Sequence, residues 1–259
     1  MAPFMRSTIF LVCLAIATAA SAQTTPVPPP TDEERAAAFP PDLQGHATHG
    51  EGLNFFVFVD QLEWQRLRGA NGFLWDAKTW VGGDLNRIWF RSEGGSHGGS
   101  VEDAEAHLML GRAISRWWDL VGGVRQDFTP GPARTWAAVG IQGLAPQWFE
   151  VEATAYLGES ARTALRVEVE YELLLTDRLV VQPLVEVNVF GKADPDRVIG
   201  AGLSTVEMGA RLRYEIRREL APYVGLVWHR RTFGTADLAR ERGEDVGGWR
   251  LVTGLRLWF

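Results

Sequence analysis

The sequence predicts an all-β protein: a transmembrane antiparallel β-barrel of twelve strands, preceded by a flexible N-terminal arm in the periplasm. Three features of this chain of 259 residues support that fold class. It begins with an export signal, most of the remaining chain alternates between apolar and polar side chains, and it ends on an amphipathic strand with a terminal phenylalanine. Together these features favour the outer membrane of a Gram-negative bacterium as its location.

Residues 1–22 are predicted to be a secretory signal peptide. Arg6 supplies the positive start, residues 9–17 form an apolar core, and Ala20-Ser21-Ala22 is a small-residue cleavage site. The apolar core is only about half of the roughly 20 residues that a transmembrane helix needs. No later apolar run reaches the length of a helical membrane span.

The only cysteine, Cys13, lies within this signal. The exported chain is therefore predicted to have no disulfide, no thiolate metal site and no cysteine nucleophile. The formal net charge of -6 argues against a nucleic-acid partner, because binding to phosphates requires a clustered basic surface.

Residues 23–53 are predicted to be a disordered, proline-rich arm. Prolines and small polar side chains dominate this segment, which therefore has too little apolar surface to fold alone. A helical turn is expected within it at residues 32–39. From residue 54 to residue 259 the chain is predicted to form the barrel.

The alternation typical of a strand is clearest at residues 165–173. Apolar side chains at the odd positions share one face, and the other face carries Arg166, Glu168, Glu170 and Glu172. The same pattern recurs at residues 149–157 and 206–216. A soluble sandwich would turn the apolar faces inward, whereas an outer-membrane barrel turns them towards lipid. So many charges would be costly in a dry core but can pair in a hydrated lumen, which favours the barrel.

The last strand decides between these two interpretations. Odd-numbered side chains from Trp249 to Phe259 are predicted to face lipid, opposite Arg250 and Arg256. A terminal aromatic looks like the signal that outer-membrane barrel proteins present to their assembly machinery. The eleven tryptophans suit the aromatic girdles that such barrels place at both membrane interfaces.

Twelve strands keep both termini on the periplasmic side, because bacterial single-chain barrels have an even number of strands. The long segment 73–92 is divided at Gly82-Gly83, a tight-turn dipeptide. Short periplasmic turns are predicted at 82–83, 113–115, 145–146, 177–178 and near Glu219, and longer outer loops at 93–100, 191–202 and 234–246. The predicted strands are 54–66, 73–92 as two strands, 101–112, 116–128, 134–144, 147–158, 163–176, 179–190, 203–217, 220–233 and 247–258.

A series of short motifs runs through residues 54–259 in a specific order. They are Asp60-Gln61-Leu62-Glu63, Gly82-Gly83-Asp84-Leu85, Trp118-Asp119-Leu120, Pro130-Gly131-Pro132 with Arg134-Thr135-Trp136, Gly143-Leu144-Ala145-Pro146, Trp148-Phe149-Glu150, Leu212-Arg213-Tyr214-Glu215-Ile216 and Ala221-Pro222-Tyr223-Val224-Gly225. In this order the motifs resemble the copper resistance protein B family. The resemblance implies an outer-membrane protein that helps a cell tolerate excess copper, by binding copper at the envelope or letting it pass outward.

The arm departs from the pattern of copper-handling relatives, which often carry methionine-rich and histidine-rich repeats there. The exported chain retains only Met109 and Met208, and soft thioether ligands favour Cu(I), so high-capacity copper storage is not expected. His46, His49 and Glu51 remain candidate ligands, since two imidazoles and a carboxylate suit Cu(II) or Zn(II). The alternative is a solvated histidine pair in a mobile segment.

A second candidate metal site lies on the strand at 101–112. His107 and Met109 are two residues apart and should share the lumen face with Glu105, because Ala106 and Leu108 belong to the lipid face. An imidazole, a thioether and a carboxylate in the lumen would suit transient copper coordination. Ordinary filling of the lumen is the alternative.

Asp60 and Glu63 are acidic candidates near the start of the barrel. Asp60 shares a face with apolar neighbours, so a β-bulge would be needed to turn it inward, where carboxylates could guide cations. Alternatively, both residues pair with lumen arginines. Further along, an acidic wall is expected to face Arg211, Arg213, Arg250 and Arg256, in a lumen that this lattice either lines or closes; the wall consists of Glu150, Glu152, Glu168, Glu170, Glu172 and Glu186.

The resulting functional prediction is a copper-tolerance protein without catalytic turnover. Copper would be a ligand or transported ion, and the expected partners are outer-membrane lipid, copper ions and a periplasmic copper-handling protein. A narrow passive channel without metal specificity is the alternative. A membrane-embedded hydrolase is disfavoured, because no serine and histidine pair on neighbouring outward strand positions.

Overall fold

The computed structural model describes residues 29–38, 52–66 and 71–259. The chain divides into two compact units, residues 1–48 and 49–259. Among the described residues, no helix is long and apolar enough to cross a membrane. The predicted signal peptide and most of the arm, including His46, His49 and Glu51, lie outside the described residues.

The described part of the first unit is one short helix, α1 (Asp32–Ala38). Thr31 caps it, because its hydroxyl accepts a hydrogen bond from the Glu34 N–H at 3.2 Å while the Glu34 carboxylate accepts one from the Thr31 N–H at 2.7 Å. This reciprocal pair is a capping box. The backbone hydrogen bond from Thr31 holds the pKa of Glu34 below its usual value. The helical turn predicted in the arm is therefore present.

The second unit is a closed antiparallel β-barrel. Its first strand pairs with its last, which closes the sheet, and every neighbouring pair is antiparallel. The strands are β1 (Asn54–Arg66), β2 (Asn71–Gly82), β3 (Asn86–His97), β4 (Ser100–Ala113), β5 (Trp118–Thr129), β6 (Arg134–Ala145), β7 (Phe149–Gly158), β8 (Arg162–Glu170), β9 (Leu173–Leu174), β10 (Leu179–Phe190), β11 (Gly202–Tyr214), β12 (Leu220–Arg231) and β13 (Gly247–Trp258).

The predicted number of twelve wall strands is confirmed. The short β9 pairs only with β10 and follows β8 after a two-residue break, so within the described residues β8 and β9 together complete one wall position. The predicted strand 163–176 is therefore interrupted rather than continuous. Antiparallel pairing places both barrel termini at the same end.

The predicted assignment of faces is also confirmed. On β4, Leu108 is 54 % exposed on the outside, whereas the next residue, Met109, is only 1 % exposed on the inside. On β13, Trp249 and Leu251 are exposed and Val252 is buried. Side chains alternate along a strand, so a shift of the pairing by one residue would exchange the buried and exposed faces. The burial of one face on each strand therefore fixes the register of the wall.

A β-bulge in β1 turns Asp60 into the lumen, as the sequence required. The pairing of β1 with β2 and with β13 shifts just after Val59. Asp60 and Gln61 are consecutive, yet both are buried. A bulge places two residues of one strand opposite a single residue of its partner, so two consecutive side chains can face the lumen.

The connections follow the expected polarity with one exception. The short turn at Gly82-Gly83 and the long outer connections around 191–201 and 232–246 are present. The predicted outer loop at 93–100 is wrong, because β3 and β4 remain paired up to His97 and Ser100. Gly98 and Gly99 have φ angles of 58° and 89°, a left-handed conformation that glycine adopts readily, so two residues suffice for the turn.

The tryptophans only partly form girdles. Trp117, Trp148 and Trp249 are exposed, as predicted. Others face the lumen, which corrects the prediction that all eleven suit the interfaces: Trp80 packs on Trp89 and Phe56, Trp136 is buried, and Trp258 lines the lumen. Composition alone cannot separate an aromatic belt from aromatic filling of the lumen.

The long outer connections are tied to each other and to the wall. The first contains a 3₁₀ turn, Pro195–Arg197, and the second contains helix α2 (Phe233–Glu241). The Arg197 guanidinium donates to the carbonyls of Pro132 and Thr129 at 3.0 and 3.2 Å. The Thr235 hydroxyl accepts a hydrogen bond from the Gly200 N–H at 2.8 Å. These bonds join three neighbouring outer loops into one assembly.

Candidate functional site

The described candidate residues all point into the lumen but do not form one cluster. Asp60, Glu63, His107 and Met109 are all buried inside the barrel. Asp60 and Glu63 lie on β1, whereas His107 and Met109 lie on β4. Among the described residues, no three His, Cys, Asp or Glu side chains lie close enough together to hold a metal ion.

Glu63 is bound to arginine, one of the two interpretations that the sequence left open. It is 0 % exposed, and its Oε2 accepts a hydrogen bond from Arg211 Nε at 2.9 Å. Tyr223 donates to the same oxygen at 3.3 Å, and Gln65 donates to Oε1 at 2.8 Å. A charge-assisted bond of this kind is strong in a shielded site, so a cation would have to displace Arg211 to reach this carboxylate.

Asp60 is also paired with arginine. Its Oδ1 lies 3.0 Å from Arg256 Nε, and the Arg256 guanidinium stacks 4.7 Å above the centre of the Phe58 ring. The aromatic face and the carboxylate therefore hold the same guanidinium from two sides. Both acidic candidates of β1 are neutralised by arginines of β11 and β13.

His107 is held by one ring nitrogen only. Its Nε2 lies 2.8 Å from Glu105 Oε1, and Glu105 is in turn bound by Arg125 at 2.6 Å and Arg166 at 2.8 Å. Among the described residues, the buried His107 Nδ1 has no hydrogen-bond partner. The predicted common face of Glu105, His107 and Met109 is confirmed, and it leaves one imidazole nitrogen free.

Met109 belongs to an apolar cluster in the lumen. It packs with Val121, Trp136 and Tyr156, and Trp89 covers the cluster. This packing agrees with the alternative prediction that Met109 fills the lumen.

Two rows of carboxylates run around the lumen wall. In each row, the members lie on neighbouring strands and each is directly opposite the next in the strand register. The first acidic row, on β2 to β5, consists of Asp76, Glu93, Glu105 and Asp127. The second acidic row, on β7, β8, β10 and β11, consists of Glu152, Glu168, Glu186 and Glu207.

Sequence reasoning placed three members of the second row in an acidic wall, but of the first row it placed only Glu105 on the lumen face. The alternation of β7 and β8 already placed Glu152 and Glu168 on the inner face. In β2 and β3 the acidic residues stand among tryptophans and glycines, which hid the pattern. Aligning the strands at Asp76 and Glu93 would have revealed it. Side chains directly opposite each other on neighbouring strands are about 4.5–5.5 Å apart at Cβ, and like charges there are destabilising.

Cationic side chains from the opposite wall relieve this repulsion. Lys78 on β2 donates to Glu152 at 2.9 Å and lies 3.6 Å from Glu168, and Arg91 on β3 also binds Glu152. In the reverse direction, Arg166 on β8 binds Glu93 at 2.7 Å and Glu105 at 2.8 Å. These partners differ from the arginines that the sequence placed opposite the acidic wall. Of those four, Arg213 and Arg256 do bind one member of the predicted wall, Glu172.

The ion pairs narrow the lumen from a wide vestibule to a small central cavity. At the end that carries the termini, a vestibule of about 920 Å³ is lined by Phe56, Phe58, Trp89 and Trp258 together with charged side chains. At the level of the two acidic rows, the space narrows to a cavity of about 30 Å³ lined by His107, Asp76, Arg166 and neighbouring charged groups. The lattice of ion pairs therefore constricts the barrel near its middle.

Comparison with known proteins gives consistent matches. The family described as "Copper resistance protein B precursor (CopB)" matches residues 53–259. A copper resistance protein B of Escherichia coli is 51% identical over 235 residues, which cover 91% of this chain and 79% of that protein. A copper resistance protein B homolog of Pseudomonas syringae pv. tomato (strain ATCC BAA-871 / DC3000) is 50% identical over 235 residues, or 91% of this chain and 80% of that protein.

Among solved structures, a NanC porin in a rhombohedral crystal form is similar with a TM-score of 0.52 and 11% sequence identity. The match covers 79% of this chain and 99% of the porin. At this identity the likeness concerns the barrel fold alone.

Proposed function

This chain belongs to the copper resistance protein B family, and we propose that it acts in copper resistance by binding copper ions inside its outer-membrane barrel and assisting their passage at the envelope. The protein is an outer-membrane β-barrel with a role in copper resistance. The proposal concerns the mechanism, in which copper is cargo and no catalytic turnover takes place.

The observation that carries this proposal is the pair of acidic rows. Eight carboxylates in direct register line a constricted lumen, and rings of carboxylates are the lining that cation pathways use. Low-dielectric walls concentrate the field of such groups and raise the local concentration of cations. The lumen therefore favours cations over anions and neutral solutes.

The ion pairs across the lumen support a mechanism in which the transported cation is bound and released rather than diffusing freely. Lys78 and Arg166 occupy the centre of the constriction, each bound to carboxylates of the opposite wall. A cation that reaches this level replaces one of these internal cations at the carboxylates. Passage is then coupled to side-chain exchange, which an open water-filled pore does not require.

The decisive test is copper sensitivity in a strain that lacks the native gene. Complementation with this chain should restore growth at copper concentrations that stop the deletion strain, with no effect on tolerance to a non-metal stress. Failure to restore growth would remove the copper role. A passive channel would instead show steady conductance in planar bilayers without any dependence on copper, and this outcome favours the alternative function.

A second prediction concerns the arm, where His46, His49 and Glu51 remain candidate ligands. Replacing both histidines by alanine should lower the Cu(II) affinity of the mature protein, because imidazole nitrogens are preferred Cu(II) ligands. Isothermal titration calorimetry with Cu(II) measures the change. Unaltered binding by the double variant would exclude the arm from the mechanism.

The proposed partners follow from the two ends of the barrel. Outer-membrane lipid covers the apolar outer face. A periplasmic copper-handling protein is proposed as the donor, since the vestibule opens at the end that carries the barrel termini. The aromatic and charged side chains around this vestibule provide the surface on which such a protein could release copper.

A further inference from the structure

We propose that the central cavity of the lumen is a binding site for a single divalent transition-metal cation, with His107 Nδ1 as its nitrogen ligand and Asp76 as the carboxylate that neutralises it. This inference rests on the proposed copper function and specifies where in the barrel the ion stops. It differs from the site that the sequence predicted, because Glu105 and Met109 are not ligands in it.

The charged side chains that line the cavity favour a bound cation. Four carboxylates from the two acidic rows line it, but only three cationic side chains do so: Lys78, Arg91 and Arg166. Each of these three is bound to a carboxylate of the opposite wall. The lining therefore has one more acidic than basic side chain, in a constricted space where an unpaired charge is costly.

Of the four described carboxylates in the lining, Asp76 is the one without a salt bridge. Among the described residues it has no ion pair within 4.0 Å and no side-chain hydrogen bond. Neither of its neighbours in the sheet forms a salt bridge with Asp76. Glu93, which lies directly opposite on β3, is itself acidic. Lys78, two positions further along β2, binds Glu152 and lies close to Glu168. Lys78 and Arg91 attract the Asp76 carboxylate from beyond salt-bridge distance, so among the described residues it faces the cavity without a directly bound counter-ion.

His107 offers the second, independent feature of the site. Its side chain is only 4 % exposed, and Nδ1 has no partner in the described part of the chain. The other nitrogen is bound to Glu105, which Arg125 and Arg166 hold in place. A histidine oriented by a carboxylate at one nitrogen and free at the other is the usual arrangement of a metal-binding imidazole.

The size of the cavity and its donors restrict the occupant. A volume of about 30 Å³ accommodates one water-sized species, so only a largely dehydrated ion fits. Nitrogen and oxygen donors suit Cu(II), whereas the thioether that would favour Cu(I), Met109, is packed in the apolar cluster. With few protein ligands, the ion is held weakly enough to leave, as conduction requires.

The test uses Cu(II) as the probe, added to the mature protein in detergent. A His46→Ala/His49→Ala variant removes the arm ligands. Electron paramagnetic resonance with electron spin echo envelope modulation then reports whether the bound Cu(II) carries an imidazole nitrogen. This variant should bind one Cu(II) with a single-imidazole signature, and adding His107→Gln should abolish that signature. Adding Asp76→Asn should weaken binding about tenfold or more, because it removes a negative charge close to the bound ion.

His229→Gln is the matched control, since His229 is another lumen histidine, located opposite Glu207 in the register. It should leave the signature unchanged, and circular dichroism should confirm that every variant is folded. A single-imidazole signal that persists in His107→Gln, or that disappears in His229→Gln, would overturn the assignment. So would the absence of bound Cu(II) from the variant that lacks only the arm histidines.

The inference and the proposed function fail in different ways. A chain that restores copper resistance but shows no His107-dependent signal keeps its role and loses this site. A chain that shows the signal but does not restore resistance keeps the site and loses the role.

Discussion

Replacing Glu63 by alanine is expected to lower the free energy of unfolding by about 3–5 kcal/mol, the usual effect of removing one partner of a buried ion pair. The side chains of Glu63 and Arg211 are 0% and 2% exposed. Without the carboxylate, the Arg211 guanidinium stays buried with only Gln61 at 2.9 Å as a close polar partner and Glu207 at 3.9 Å. Urea-induced unfolding in lipid vesicles, followed by tryptophan fluorescence, measures the loss.

The control is an ion pair of the same kind on the surface. Asp237 and Arg240 in α2 are bridged, but their side chains are 69% and 56% exposed. Asp237→Ala should cost less than about 1 kcal/mol, because exposed pairs are screened by water. If the Glu63 variant does not fold, Glu63→Gln should still fold with an intermediate loss, since the amide keeps one acceptor oxygen. A loss for Glu63→Ala no larger than that for Asp237→Ala would mean that water reaches Arg211.

An arginine on the outer face should lower the free energy of unfolding nearly as much as the loss of Glu63. Val139 lies near the middle of β6, faces outward and is 57% exposed. Val139→Arg is expected to destabilise the barrel by about 2–4 kcal/mol, because this position meets the hydrocarbon midplane. The same vesicle unfolding measurement applies.

Thr135→Arg provides the comparison for Val139→Arg on the same strand and the same face. Thr135 lies at the outer end of β6 and is exposed, so the new charge meets the membrane interface and should cost about 0–1 kcal/mol. Equal losses at the two positions would contradict a lipid-facing outer wall, since only hydrocarbon makes the cost depend on depth.

The wall of the barrel was predictable because its pattern is local. Leu108 and Met109 are neighbours in the chain, and alternation alone placed one in lipid and the other in the lumen. The bulge at Asp60 could be inferred in the same way, since an acidic residue on an apolar face needed a local correction. The errors also arose from local patterns: the glycines near His97 looked like a loop, although they let a hairpin turn in two residues.

The candidate site was less predictable. His107 was found because of its position on an inner face, but its ability to bind a metal depends on which nitrogen Glu105 occupies. Asp76 was missed altogether. It has no distinctive sequence neighbours, and its importance comes from the lack of a directly bound counter-ion among the described residues at the centre of the lumen.

The amino-acid sequence by itself determined the barrel, its strand number and the side of the wall on which each residue lies, because strand periodicity and turn chemistry act between residues close in the chain. Only the closed tertiary structure decided which charges pair across the lumen. Arg211 and Glu63 are 148 residues apart, and Arg166 and Glu93 are 73 apart. Such partners are set by closure of the barrel and by the reach of side chains across it, so no local pattern encodes them.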